Sequence, residues 1–150
     1  MNSKNNAYDT VNEVLVKLFN DIMHIEEKAI ITEDFKDISN NDMHIIEAIG
    51  IKEPKNMSSV AKALSVTVGT LTIAINNLVK KGYVNRVRSE KDRRVVYISL
   101  TDKGLKAYEQ HAAFHKEMIK ATINGLTPDE TDVLVRSLTN LVDFFRKWQQ

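Results

Sequence analysis

Seven cations crowd into residues 80–94 of this 150-residue chain: Lys80, Lys81, Arg86, Arg88, Lys91, Arg93 and Arg94, against Glu90 and Asp92, a local charge of +5. Ammonium and guanidinium groups at this density bind polyanions, because each phosphate they neutralise releases condensed counterions. The same cluster also suits a plain solvated hairpin, so the chemistry depends on the elements that carry it. A second constellation is the pair His111 and His115. At i, i+4 both imidazoles share one helix face, a usual spacing for two ligands of one metal ion.

The cations lie on two expected strands. Tyr83–Arg88 alternates polar and apolar residues, and Val95–Leu100 is β-branched and aromatic, with Ser89-Glu90-Lys91-Asp92 as the turn. A lone hairpin is marginal in water and must lean on a neighbour. Directly upstream, Asn56 can cap a short helix over Met57–Leu64, Ser65-Val66-Thr67 is a tight turn, and Thr67 caps a helix over Val68–Lys81 that Gly82 ends. Two short helices followed by a cationic β-ribbon describe a winged helix-turn-helix, a DNA-binding device.

In that arrangement Val60, Ala61, Leu64, Leu71, Ile75 and Leu78 point inward. Gly69, Thr70, Thr72, Ile73 and Asn76 point outward, a face with no carboxylate and no lysine before Lys80. Asn76 can pair with adenine, and Thr or Ile methyls can meet the thymine methyl. Gly69 costs about 1 kcal/mol in a helix, which close backbone approach to DNA would offset. The helix N-terminus suits a phosphate. Indifferent surface residues are the alternative reading of Thr70, Thr72 and Asn76. At the hairpin tip, Arg93 and Arg94 can enter a minor groove. Asp92 pairs with Arg94, pairs with Arg88, or meets DNA.

The remaining chain supplies helices. Val11, Val14, Leu15, Leu18, Phe19, Ile22, Ile25 and Ala29 form a stripe over 8–30. A polar Thr32–Ile38 stretch ends it, and Ser39 with Asp42 forms a capping box for a helix running to Ile49, with Gly50 as its stop. Pro54 and Asn56 make a turn. After the hairpin, Thr101 caps a helix to about Ile123, and Asn124-Gly125 breaks it. Thr127-Pro128-Asp129-Glu130 then starts a last helix carrying Leu134, Leu138, Leu141, Phe145 and Trp148. The expected fold is mainly α with a small β-hairpin wing, one domain over 1–150. Its winged-helix core spans about 39–101, between helices 8–30 and 101–148.

Composition bounds the function. The chain is 43% hydrophobic and 27% charged, ordinary for a soluble domain. It has no Cys, no run of about 18 apolar residues and no signal-peptide core, so a cytoplasmic location is expected. The net charge of +1 conceals an acidic N-terminal part: residues 1–56 hold six Lys/Arg against eleven Asp/Glu. No Gly-rich phosphate loop, thiol or Ser-His-Asp pattern argues for an enzyme.

Residues 60–104, VAKALSVTVGTLTIAINNLVKKGYVNRVRSEKDRRVVYISLTDKG, resemble the MarR family of bacterial winged-helix regulators. They carry its Asp-x-Arg wing signature (Asp92, Arg94) and its Leu-Thr-x-x-Gly start of the following helix (Leu100, Thr101, Gly104), and the flanking helices extend the likeness over nearly the whole chain. Within the family, FKDIS at 35–39, Met43-His44, VTVGT at 66–70, NNLVKKGYV at 76–84, DRRVVYISLT at 92–101 and the pair His111/His115 are similar to the repressors of fatty-acid synthesis genes in Gram-positive cocci. The resemblance implies a homodimer formed through the terminal helices, a pseudo-palindromic double-stranded operator, and acyl-acyl carrier protein as corepressor. DNA contact is expected from Thr67, Gly69, Thr70, Thr72, Ile73, Asn76, Lys80, Arg88, Lys91, Asp92, Arg93 and Arg94. For an acyl chain the apolar candidates are Met23, Ile45, Ile49 and Phe114. Glu26, His44, His111 and His115 also resemble the primary site of the family's zinc sensors, whose second site Thr32, Met43 and Gln110 do not match. Such a closed four-ligand set would leave no open position for metal catalysis. No cofactor is the favoured expectation, and zinc the alternative.

Overall fold

A computed structural model describes the backbone of residues 3–30 and 34–149, and the side chains over that span apart from 3–5, 26, 27, 29 and 30. Thr32 and the side chain of Glu26 lie outside the described residues. The elements follow the order α1 (Ser3–Ile30), α2 (Asn40–Ile49), β1 (Lys55–Asn56), α3 (Met57–Ala63), α4 (Val68–Lys81), β2 (Val84–Arg88), β3 (Val96–Leu100), α5 (Asp102–Ile123) and α6 (Pro128–Trp148). No single helix among the described residues is long and apolar enough to cross a membrane.

Hydroxyl and carboxylate caps set the boundaries by satisfying the free N–H groups at helix starts. Asp42 N donates to Ser39 Oγ and Ser39 N to Asp42 Oδ2, each at 3.1 Å, closing the capping box of α2. Asn56 Oδ1 accepts from Ser59 N at 2.7 Å, Thr67 Oγ1 from Thr70 N at 3.1 Å, and Thr101 Oγ1 from Gly104 N at 3.1 Å. Thr127 and Glu130 form the second capping box, with Pro128 in the first turn of α6. Gly82 ends α4 at φ 88°, a left-handed conformation that glycine adopts without a side-chain clash. Between α3 and α4, Ser65 takes φ 55° without being glycine, a strain that the tight turn imposes.

The structure adds a strand absent from the sequence reading. Lys55 and Asn56 pair antiparallel with Ile98 and Tyr97, giving a three-stranded sheet in the order β1-β3-β2. In β2 and β3, Val84 opposes Leu100, Arg86 opposes Ile98 and Arg88 opposes Val96. Period-2 alternation therefore puts Arg86 and Arg88 on the same sheet face as buried Val84 and Ile98.

The chain divides into two compact units, Met1–Ala112 and Ala113–Gln150, and α5 contributes residues to both. In the first unit Met43, Ile46, Ile49, Val60, Leu71, Ile75, Leu78, Tyr83 and Ile98 are essentially sealed from solvent. Burying one such side chain contributes roughly 1.5–3 kcal/mol. Tyr83 also fixes the loop before α2: its hydroxyl donates to Asp37 Oδ1 at 2.6 Å, and its ring lies 6.2 Å from that of Phe35. Burial, then the Asp37 hydrogen bond, pushes the Tyr83 phenol up, and the same bond holds the Asp37 carboxyl down. Lys81 Nζ reaches Asp37 O at 2.7 Å and Asp42 Oδ2 at 3.2 Å, while Lys103 Nζ sits 4.4 Å over the Tyr83 ring. These contacts hold the end of α4, and with it the wing, against α2 and α5.

Gly104 has a steric role. A Cβ there would lie 2.1 Å from Tyr83 O, the carbonyl that accepts from Thr101 N at 3.0 Å. Backbone cannot yield as a flexible side-chain end would, so Gly104→Ala should cost about 3 kcal/mol. Thermal unfolding should show a drop of roughly 6–12 °C. At Gly69 the nearest atom to an added Cβ is Thr67 Oγ1 at 3.9 Å. Gly69→Ala in the same assay should be neutral or stabilising by up to about 1 kcal/mol.

In the second unit, α6 has no buried residue. Leu134 and Leu141 are half-buried, whereas Val135, Leu138, Val142, Phe145 and Trp148 are exposed, the last at 78%. In the first unit Tyr8, Val11, Val14, Leu15, Leu18 and Phe19 along α1 are likewise exposed. Apolar surface of this extent normally marks an interaction site.

Candidate nucleic-acid interface

The inward residues of α3 and α4 leave a defined outer face. Val60, Ala61, Leu71, Ile75 and Leu78 are buried and Leu64 half-buried, so Gly69, Thr70, Ile73 and Asn76 stand exposed and Thr72 half-exposed along the other side of α4. Thr67 and Thr70 hydroxyls are engaged at the cap, 3.0 Å apart, and Thr72 Oγ1 donates to Val68 O at 2.7 Å. Thr70 Oγ1 keeps its own proton to donate, and Thr72 Oγ1 keeps lone pairs to accept. Since no neighbour crowds Gly69, the fold itself does not demand glycine there.

A cleft of about 670 Å³ opens between the start of α3, α4 and the wing. Its walls include Ser58, Thr72, Asn76, Arg86, Arg88 and Arg94. Of the residues expected from sequence, Thr72, Asn76, Arg88 and Arg94 thus meet in one concave surface. Gly69, Thr70, Ile73, Lys80, Lys91 and Arg93 lie on the exposed surface of α4 and the wing instead. Arg86 and Ser58 were not among the expected contacts. The signal for Arg86 was the alternation of β2, which puts positions 84, 86 and 88 on one face.

The wing tip is closed by two backbone bonds, Ser89 N to Val95 O and Val95 N to Asp92 O, each at 2.9 Å. Asp92 pairs with Arg94 rather than with Arg88. Asp92 Oδ1 accepts from Arg94 N and Nε at 3.1 Å, and Oδ2 accepts from Nη2 at 3.2 Å. The Arg94 guanidinium beside Asp92 holds its carboxyl below the usual carboxylate range. An exposed ion pair contributes little to stability. Its consequence is orientation: Arg94 is 90% exposed yet fixed in direction. Arg88 Nη1 donates to Arg93 O at 3.3 Å, bracing the opposite side of the tip.

The other sequence candidates lie elsewhere. Ile45 and Ile49, two of the apolar candidates for an acyl chain, are 3% and 1% exposed and pack within the winged-helix core. The reason is that α2 packs more than one side against its neighbours, burying Met43, Ile45, Ile46 and Ile49 together. Met23 is exposed on α1, and Phe114 is half-buried in the second unit, edge-on to His115 at 6.0 Å. His44 is exposed on α2. His111 is buried and its Nε2 lies 3.0 Å from Glu47 Oε1, a carboxylate the sequence reading did not place there.

An exposed helix carrying an amide, a neighbouring β-ribbon with a fixed arginine at its tip and a cationic cleft between them define a winged-helix DNA-binding protein. The comparisons agree. The family model for the transcriptional regulator SarA/Rot matches residues 25–111, more than half of the chain. The structure of Streptococcus pneumoniae FabT in complex with DNA superposes with a TM-score of 0.84 at 44% identity, covering 94% of this chain and 99% of that one. The regulator SarZ of Staphylococcus haemolyticus is 31% identical over 106 residues, 71% of each chain. An uncharacterised regulator of Bacillus subtilis, YkoM, is 31% identical over 91 residues, which span 61% of this chain and 59% of that protein. This chain belongs to the MarR/SarA-type family of winged-helix transcriptional regulators. Its relatives are regulators, not enzymes.

Proposed function

We propose that this regulator is a homodimeric repressor of fatty-acid biosynthesis genes, with long-chain acyl-acyl carrier protein as its corepressor. The observation that carries the reading is the likeness over 94% of the chain to FabT held on DNA, at 44% identity. The motifs FKDIS, VTVGT and DRRVVYISLT support it through their resemblance to repressors of that class. The exposed apolar stripes of α1 and α6 support dimerisation, since such surface normally marks an interaction site. Two copies related by a two-fold axis would present two α4 helices to a pseudo-palindrome. A corepressor then acts only through its differential affinity: it must bind the DNA-competent arrangement better than the other.

The test is fluorescence anisotropy on an operator duplex, titrated with protein in the presence of acyl carrier protein bearing a long acyl chain. The acylated carrier should tighten binding by about tenfold or more, equivalent to a coupling of roughly 1.4 kcal/mol, and the carrier without an acyl group should leave it unchanged. Binding that instead requires zinc and disappears with a chelator would overturn the acyl reading in favour of metal sensing.

A further inference from the structure

A free asparagine amide both donates and accepts, which suits adenine: its major-groove edge shows the N7 acceptor beside the N6 amino donor. In this protein the amide of Asn76 is not free. Arg86 Nη1 donates to Asn76 Oδ1 across the gap between β2 and α4. A guanidinium carries donors only, so the amide must turn its oxygen toward Arg86 and its nitrogen away. Both residues are exposed and both line the cleft beneath the wing. With one of the two Oδ1 lone pairs taken and the oxygen turned toward Arg86, what the pair offers a ligand there is mainly N–H donors: the Nδ2 hydrogens of Asn76 and the remaining N–H groups of Arg86.

We propose that Arg86 and Asn76 form one composite reader that selects guanine over adenine. Guanine presents two adjacent acceptors, N7 and O6, and matches two adjacent donors. Adenine would set its N6 amino group against a donor, leaving one polar group of the pair unsatisfied. Arg86 is thus a specificity-determining residue that works partly by dictating which edge Asn76 displays. The inference rests on the α4 and wing face being the surface that meets DNA.

Selection of duplexes from a randomised library by the full-length protein tests this, using wild type, Asn76→Ala and Arg86→Ala. Wild type should enrich guanine at a symmetry-related position whose preference weakens in Asn76→Ala, where the donors of Arg86 alone remain. In Arg86→Ala the released Oδ1 can accept from adenine N6, so the preference at that position should swing toward adenine by roughly tenfold, with the other positions unchanged. Enrichment of adenine at that position by wild type would overturn the proposal. So would an Arg86→Ala protein that loses affinity equally for all sequences, since Arg86 would then be a phosphate contact. Loss of all sequence enrichment by wild type would sink the reading of the α4 face itself, together with this inference. Both side chains lie at the surface, and circular dichroism of the variants confirms that the fold is kept.

Discussion

Arg94→Ala should lower the affinity of the dimer for its operator by about a hundredfold, and flatten its salt dependence by about two in the log–log slope, one for each half-site. The loss is large for two reasons. The proposed dimer would lose two guanidinium groups, each held by Asp92 through two hydrogen bonds of 3.1 and 3.2 Å. The substitution also leaves the Asp92 carboxylate without its partner at the tip of a ribbon facing phosphates. Arg94→Lys should fall between wild type and alanine, because an ammonium keeps the charge but cannot take the two-pronged carboxylate grip. Asp92→Ala should weaken binding only severalfold, since the cation remains but its direction is no longer set. Anisotropy titrations across salt concentrations measure all three, and an unchanged Arg94→Ala protein would mean that the wing tip does not contact DNA.

If the chain dimerises as proposed, Leu138→Glu should leave a 17.1 kDa monomer and cost at least a hundredfold in operator affinity. Leu138 lies at 48% exposure in a stripe with Val135, Val142 and Phe145, spaced three, four and three residues apart along α6. That spacing is the seam of a helix pair. A carboxylate placed in such a seam is desolvated without a partner, whereas on a water-facing helix it would be harmless. Two linked half-site contacts raise each other's effective concentration, and a monomer forfeits that gain. Sedimentation equilibrium decides the matter: a Leu138→Glu protein that stays dimeric places the interface elsewhere.

Much of the fold was legible because its boundaries are set by local chemistry. Ser39, Thr67, Thr101 and Thr127 cap helices with their own side chains, and Gly82 ends α4 through its positive φ. The face of α4 was legible too, since Leu71, Ile75 and Leu78 repeat at helical spacing. Illegible features depend on pairing between distant segments. β1 is only Lys55 and Asn56, too short to show alternation, and exists because β3 passes alongside. The bond from Arg86 to Asn76 joins a strand to a helix, and no local pattern marks it. Likewise the pairing of His111 with Glu47 joins α5 to α2. Ile45 and Ile49 show the limit of reading apolar residues: a hydrophobic side chain in a core and one lining a cavity look alike until the neighbours are placed.

Reading of DNA by two copies of this chain through α4 and the wing is tested most directly by sequencing the duplexes that wild-type protein recovers from a randomised library. Two inverted half-sites with centres about one helical turn apart, roughly 10 base pairs, are the predicted result. Recovery of single asymmetric sites, or of duplexes without any common sequence, would contradict it.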